Sequence, residues 1–280
     1  MIASSLSIKP VTTAIGAEIS GVDLSVPLDD ETYALIRRTY YERGVVFFRD
    51  QHLSDEQFEA FGKRFGRLTQ SKLYPHRVAG FDDLQVILKE EGAETNNGGT
   101  WHADQSFRSD PIMGTGLVAR KVPRSGGDTA FTNMSAAYDA LSDGLKETLS
   151  RMRAYHTNDT EKQVARRAEL NAGKPPDQHV RADEAIHPVV GRHPETGRPV
   201  LYVNPHYTRR FDGWTNAESE PLLRYLFAHA ERPEFGCRFH YDVGSIVLWD
   251  NRTVLHYAVN DYPGGDRVLH RFMVEGPFLR

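Results

Sequence analysis

Short apolar runs separated by polar turns, with a few stretches of helical periodicity, dominate the pattern of this chain. Val45-Val46-Phe47-Phe48 is four apolar residues in a row and predicts a buried strand. Further strands are expected at Leu84–Leu88, Met113–Ala119 and Thr129–Thr132, the last introduced by the turn residues Gly126-Gly127-Asp128. Later ones are expected at His187–Val190, Val200–Asn204, Arg238–Tyr241, Ser245–Trp249, Val254–Val259 and Arg267–Glu275. Helices are predicted at Asp29–Glu42, Ser54–Phe65, Ser135–Arg153 and Thr215–Ala230. Two of these begin with the spacing of a capping box, Ser54 with Gln57 and Thr215 with Glu218. Many short strands with a few helices predict a mainly β fold with flanking helices, a double-stranded β-helix (jelly-roll) core.

The stretch from Asn158 to Asp183 differs in character. It is polar, carries Lys162, Arg166 and Arg167, and contains Gly173-Lys174-Pro175-Pro176. An insert of this length in a compact domain is expected to be a lid or a mobile loop. The rest reads as a single domain over 1–280, because nothing in the pattern forces a second one.

Composition narrows the class. A hydrophobic share of 39% with 26% charged residues is that of a folded, water-soluble protein, and a formal net charge of −4 offers no general attraction to nucleic acid. The single cysteine, Cys237, permits no intrachain disulfide. No signal-peptide pattern opens the chain, and no apolar run is long enough for a membrane span. A cytoplasmic location is the expectation.

The candidate chemistry lies in Trp101-His102-Ala103-Asp104. In an extended segment residues i and i+2 point the same way, so His102 and Asp104 can reach one ion. A third ligand must come from elsewhere, and His256 is the best candidate. Two imidazoles and one carboxylate that leave three positions open are the ligand set of iron(II) oxygenases. A His-x-Asp tripeptide is common on its own, and the chain has twelve histidines, so the surrounding sequence must decide. His187, His193, His229 and His240 are expected to be structural or surface residues.

The surrounding blocks are specific. Gly16-Ala17-Glu18-Ile19, Phe65-Gly66-Arg67-Leu68, Trp101-His102-Ala103-Asp104, Gly126-Gly127-Asp128-Thr129, His187-Pro188-Val189-Val190 and Trp249-Asp250-Asn251-Arg252 follow one another in order, then His256-Tyr257-Ala258 and a tail through Arg267 to Arg271. In these blocks the chain resembles the taurine dioxygenase family, which includes enzymes of alkyl sulfates and chlorophenoxyalkanoates. The resemblance implies an Fe(II)- and 2-oxoglutarate-dependent dioxygenase that uses O2, with His102, Asp104 and His256 as metal ligands. It implies that Arg267, with Thr129, binds the distal carboxylate of 2-oxoglutarate, and that Arg271 binds an acidic group of the substrate. A guanidinium fork suits a carboxylate, and on one strand these two arginines would share a face about 13 Å apart, far enough to serve different anions.

Against the taurine enzymes, Ser71 stands in place of a histidine that touches the sulfonate, Gly98 falls near a substrate-contacting asparagine, Tyr207 replaces a phenylalanine and Tyr74 is retained. The expected substrate is therefore a bulkier anionic small molecule than taurine: a sulfonate, a sulfate ester or a carboxylate. Asp104 argues against halogenation, whereas desaturation, epimerisation or ring formation could use the same iron. Two readings from other classes stay open: a metal-dependent hydrolase with the same three ligands, and a noncatalytic binding protein on the same fold. A homo-oligomer, dimer or tetramer, is the leaning for assembly.

Overall fold

A computed structural model describes residues 6–71, 76–89, 92–264 and 267–280. Among them, one nine-stranded sheet runs in the order Ser7–Pro10, Ala17–Ser20, Val45–Phe48, Ile246–Asp250, Gly114–Lys121, Val268–Val274, Phe81–Leu88 and Arg77–Val78, and Leu68–Thr69 also pairs with Val268–Val274. Its strands are antiparallel except for Ala17–Ser20 beside Val45–Phe48. A smaller antiparallel sheet, Gly236–Phe239, Thr129–Asn133 and Val254–Ala258, packs against one face.

The alternation of side chains explains why the central strands are apolar throughout. Val46, Phe48, Ile246, Leu248, Val118, Phe272 and Val274 point outward, where Ile36 and Tyr40 of one helix and Phe58 and Phe61 of the next cover them. Their neighbours Val45, Phe47, Val247, Trp249, Leu117 and Leu269 point inward to meet Phe131, Phe239 and Val254 of the smaller sheet. A third cluster joins the helices Met134–Asp139, Asp143–Ser150 and Asn216–Ala230 to the strands Arg153–Thr157, Val190–Arg192, Pro199–Leu201 and Thr208–Phe211. The jelly-roll expectation is met, with the candidate site between the two sheets.

The predicted helix starts are real. Asp29 caps Asp30–Arg43 through the Thr32 amide, and complete capping boxes open Asp55–Lys63 and Asn216–Ala230. The single helix expected over Ser135–Arg153 is two, Met134–Asp139 and Asp143–Ser150, because the Ser142 side chain accepts from the Leu145 amide and starts the second afresh. Arg153 then begins a strand. The polar insert is more ordered than a plain loop: Thr160 caps a helix over Glu161–Asn171. Its ends are drawn together at Asn158, whose side chain accepts from Arg167 and the Asp183 amide. No helix among the described residues is long and apolar enough to cross a membrane.

Candidate active site

The site starts from a backbone bridge. His102 and His256 exchange amide–carbonyl hydrogen bonds of 3.1 and 2.9 Å, which sets their imidazoles side by side with centroids 4.1 Å apart. Ala103 turns away into the helical core, and Asp104 returns to the side of His102, as extended geometry requires. One donor atom from each of His102, Asp104 and His256 lies within 4.8 Å of the others, and all three residues are buried. Asp104 Oδ1 sits 3.5 Å from His102 Nε2 and 3.8 Å from His256 Nε2. Gln105 then adopts a φ of +54°, rare for a residue with a side chain, and the chain bends sharply away. Gly98 has a φ of +80°, and a Cβ there would lie 3.1 Å from His102 Cε1. Only glycine lets that loop close over the ring without strain.

Electrostatics favour a cation at this point. Burial alone would raise the Asp104 carboxyl, but His256, the contact with His102 and the Arg271 guanidinium outweigh it and hold the group well below the usual carboxylate range. Burial, reinforced by His102 and Arg271, pushes His256 down to about 3, so its imidazole is neutral at physiological pH. His102 Nδ1 lies 2.7 Å from the Thr100 carbonyl, which can only accept, so Nδ1 donates there and Nε2 is the ring nitrogen turned toward Asp104. His256 Nδ1 has no hydrogen-bond partner among the described residues and packs beside the Trp249 ring. Two imidazole nitrogens and one carboxylate oxygen on one side fit a divalent ion such as Fe(II) with positions to spare.

A cavity of about 1150 Å³ opens from these three residues. Leu269, Arg271 and Met273 alternate along the last strand, Val268–Val274, and line the cavity; Arg267 lines it too, but sits just before the strand rather than in it, so the strand expected from Arg267 starts one residue later. Arg267 is 5% exposed, donates to Thr129 Oγ1 at 3.3 Å, and lies over the Tyr241 ring. Among the described residues no carboxylate pairs with it, and its Nε has no hydrogen-bond partner. A buried cation left this way calls for an anion from outside. Arg271 donates to Gln85 Oε1 at 2.7 Å, stands 3.9 Å from Asp104 Oδ1, and lines the cavity beside it.

Of the other predicted pocket residues, Ser71 and Tyr207 line the cavity, and Tyr74 lies outside the described residues. Tyr207 packs edge-on against Phe107, with ring centroids 4.9 Å apart. Gly98 is also on the wall, but against His102. The insert contributes Glu161, Gln163, Arg166 and Glu169 to the same wall. Sequence reading missed His206, whose ring is 5.5 Å from that of His102, and Arg209, which lines the cavity while Arg210 lies over Tyr155 outside it. Strand alternation in Thr208–Phe211 could have separated Arg209 from Arg210, but that strand carries a register shift against its neighbour.

The block Trp249-Asp250-Asn251-Arg252 acts behind the site. Asp250 receives two bonds from the Arg252 guanidinium, at 2.8 and 2.6 Å, and one from His193 Nε2 at 2.9 Å, all buried. Arg252 also meets Glu195 at 3.0 Å. His187 and His229 are likewise tied to backbone carbonyls, those of Arg108 and Ala137, and His240 meets Asp128 at the surface.

Comparison with known proteins identifies a family. Residues 7–273 match the family model of the taurine catabolism dioxygenase TauD, TfdA family. An alpha-ketoglutarate-dependent sulfate ester dioxygenase of Pseudomonas putida is 32% identical over 97% of this chain and 90% of its own length. An (S)-phenoxypropionate/alpha-ketoglutarate dioxygenase of Sphingobium herbicidovorans is 34% identical, over 90% of this chain and 88% of its own. Among solved structures, a taurine dioxygenase from Burkholderia xenovorans superposes with a TM-score of 0.81 at 35% identity, covering 98% of this chain and 92% of that one.

Proposed function

This chain belongs to the taurine catabolism dioxygenase TauD, TfdA family and is a 2-oxoglutarate-dependent dioxygenase, and from that premise we propose that it hydroxylates a small organic anion at an iron(II) centre. In this reading His102, Asp104 and His256 hold Fe(II), Arg267 with Thr129 takes the distal carboxylate of 2-oxoglutarate, and Arg271 takes the acidic group of the substrate. Bound iron supplies the oxidising chemistry, in which 2-oxoglutarate and O2 become succinate and CO2 while one oxygen atom enters a C–H bond of the substrate.

The protein's own share is placement. The bridge between His102 and His256 presets the two imidazoles, and the buried Asp104 carboxylate supplies the charge that keeps a cation there. Arg267, just before the last strand, and Arg271 within it both line the cavity and set the two organic anions on a shared approach to the metal ligands. The insert Asn158–Asp183 forms part of the cavity wall, which suits a cover that excludes water during reaction.

The observation that carries the proposal is the convergence, in one cavity, of three metal-competent donors and a buried arginine that no carboxylate among the described residues pairs with. A hydrolase using the same three ligands would leave Arg267 and Thr129 without a role. The substrate class follows from Arg271 together with the relatives' activities on a sulfate ester and on phenoxypropionate. The large cavity, with Ser71 and Tyr207 on its wall, favours an acid bulkier than taurine.

The test is succinate formation from 2-oxoglutarate with Fe(II) and O2, scored against a panel of organic sulfates, sulfonates and aryl or alkyl carboxylates. One or more bulky acids should stimulate turnover above taurine, and His102→Ala should abolish it. Taurine as the fastest substrate would refute the proposed class. Wild type that makes no succinate with any acid would refute the reaction.

A further inference from the structure

Asp104 is held from behind by a closed ring of hydrogen bonds. Its Oδ2 accepts the Thr115 hydroxyl at 2.8 Å, and Thr115 Oγ1 accepts from Asn251 Nδ2 at 2.9 Å. Asn251 Oδ1 accepts both the Asp104 amide and the Trp249 indole N–H, each at 3.0 Å. The directions follow from chemistry: the indole and the backbone amide only donate, so the Asn251 oxygen faces them and its NH2 faces Thr115. The single hydroxyl proton of Thr115 is then left for Asp104. Thr115 is fully buried and Asn251 is 2% exposed, so water does not substitute easily for either contact. Strand register makes the ring possible, because Trp249 pairs with Thr115 across the main sheet, two residues before Asn251.

We infer that Thr115, oriented by Asn251, is the positioning residue that makes Asp104 a one-oxygen ligand. Oδ2 is committed to the hydroxyl, and Oδ1 alone is turned toward His102 and His256. A carboxylate free to rotate could offer both oxygens and close one of the positions that cosubstrate and O2 require. This inference rests on the metal reading of His102, Asp104 and His256 and deepens it.

The experiment is Mn(II) binding to the apoprotein, with free Mn(II) read by electron paramagnetic resonance, which needs no turnover. Thr115→Val keeps the shape and removes the hydroxyl, whereas Thr115→Ser keeps the hydroxyl and removes the methyl. Thr115→Val should weaken Mn(II) binding by about tenfold to a hundredfold, while Thr115→Ser stays within about threefold of wild type. Should Thr115→Val fail to fold, Thr115→Ala carries the same expectation. Wild-type affinity in the hydroxyl-less variant overturns the inference, and so does a Thr115→Ser variant as weak as Thr115→Val, since packing would then be the cause. His102→Ala, measured alongside, separates the two levels. If it binds Mn(II) like wild type, the metal site itself is misassigned; if it loses binding while Thr115→Val does not, only the role of Thr115 falls.

Discussion

Replacing Arg267 by leucine should weaken 2-oxoglutarate binding while leaving the apoprotein as stable as before or more so. Arg267 is 5% exposed and its side chain donates to Thr129. Losing that hydrogen bond costs about 1 kcal/mol. Removing a buried cation that no carboxylate among the described residues neutralises returns a comparable or larger amount. The ligand tells the opposite story. Two charge-assisted hydrogen bonds from a guanidinium fork to a carboxylate are worth roughly 3–6 kcal/mol together, so the variant should bind 2-oxoglutarate about 10²- to 10⁴-fold more weakly. The assay is thermal unfolding of Mn(II)-loaded protein under anaerobic conditions, with and without 2-oxoglutarate. At a hundred times the dissociation constant the ligand stabilises wild type by about 2.7 kcal/mol, or roughly 5–10 °C for a chain of this size. Arg267→Leu should show almost no shift at the same concentration. A variant that kept the wild-type shift would refute the assignment of Arg267. One whose apo form melted several degrees lower would show that the arginine is structural.

Other consequences are equally concrete. Arg271→Gln should raise KM for the anionic substrate about tenfold or more, the loss of a charge-assisted bond, while 2-oxoglutarate affinity changes little; steady-state kinetics with the best acid from the panel would show it. Asp250→Asn breaks a buried ion pair and should cost about 3–5 kcal/mol in urea unfolding at neutral pH. Burial raises the Asp250 carboxyl, but Arg252 and His193 outweigh it and hold it below the usual range, so its stabilisation is complete above that range and fades as the pH falls through the depressed value. The gap between wild type and Asp250→Asn should therefore shrink in acid, and a gap independent of pH would contradict the ion pair. Gly116→Ala would place a Cβ 2.2 Å from the buried Phe272 ring, so calorimetry should find a loss of about 1–3 kcal/mol or more, with the site residues untouched.

What the sequence reveals here depends on how local each feature is. The His102-x-Asp104 spacing needs only strand alternation, and both capping boxes need only four residues, so these are readable directly. Val45–Phe48 is readable as a buried strand because its two faces meet two different cores. Thr115 and Asn251 are not readable, because their roles arise only when two strands distant in sequence pair in one register. The helix Glu161–Asn171 was hidden by its composition: a polar stretch ending in Gly173-Lys174-Pro175-Pro176 has no apolar stripe to announce it. The strands Ser7–Pro10 and Thr208–Phe211 were missed for a related reason, since each is short and partly polar, and the sheets that accept them are built from elsewhere in the chain.

The most direct measurement is an anaerobic titration of the apoprotein with Fe(II) and then 2-oxoglutarate, followed by visible absorbance. A weak charge-transfer band is predicted on addition of the keto acid to wild type, absent in His102→Ala and diminished in Arg267→Ala. Iron that binds stoichiometrically to wild type without any such band would contradict the claim that this cavity brings 2-oxoglutarate to the metal.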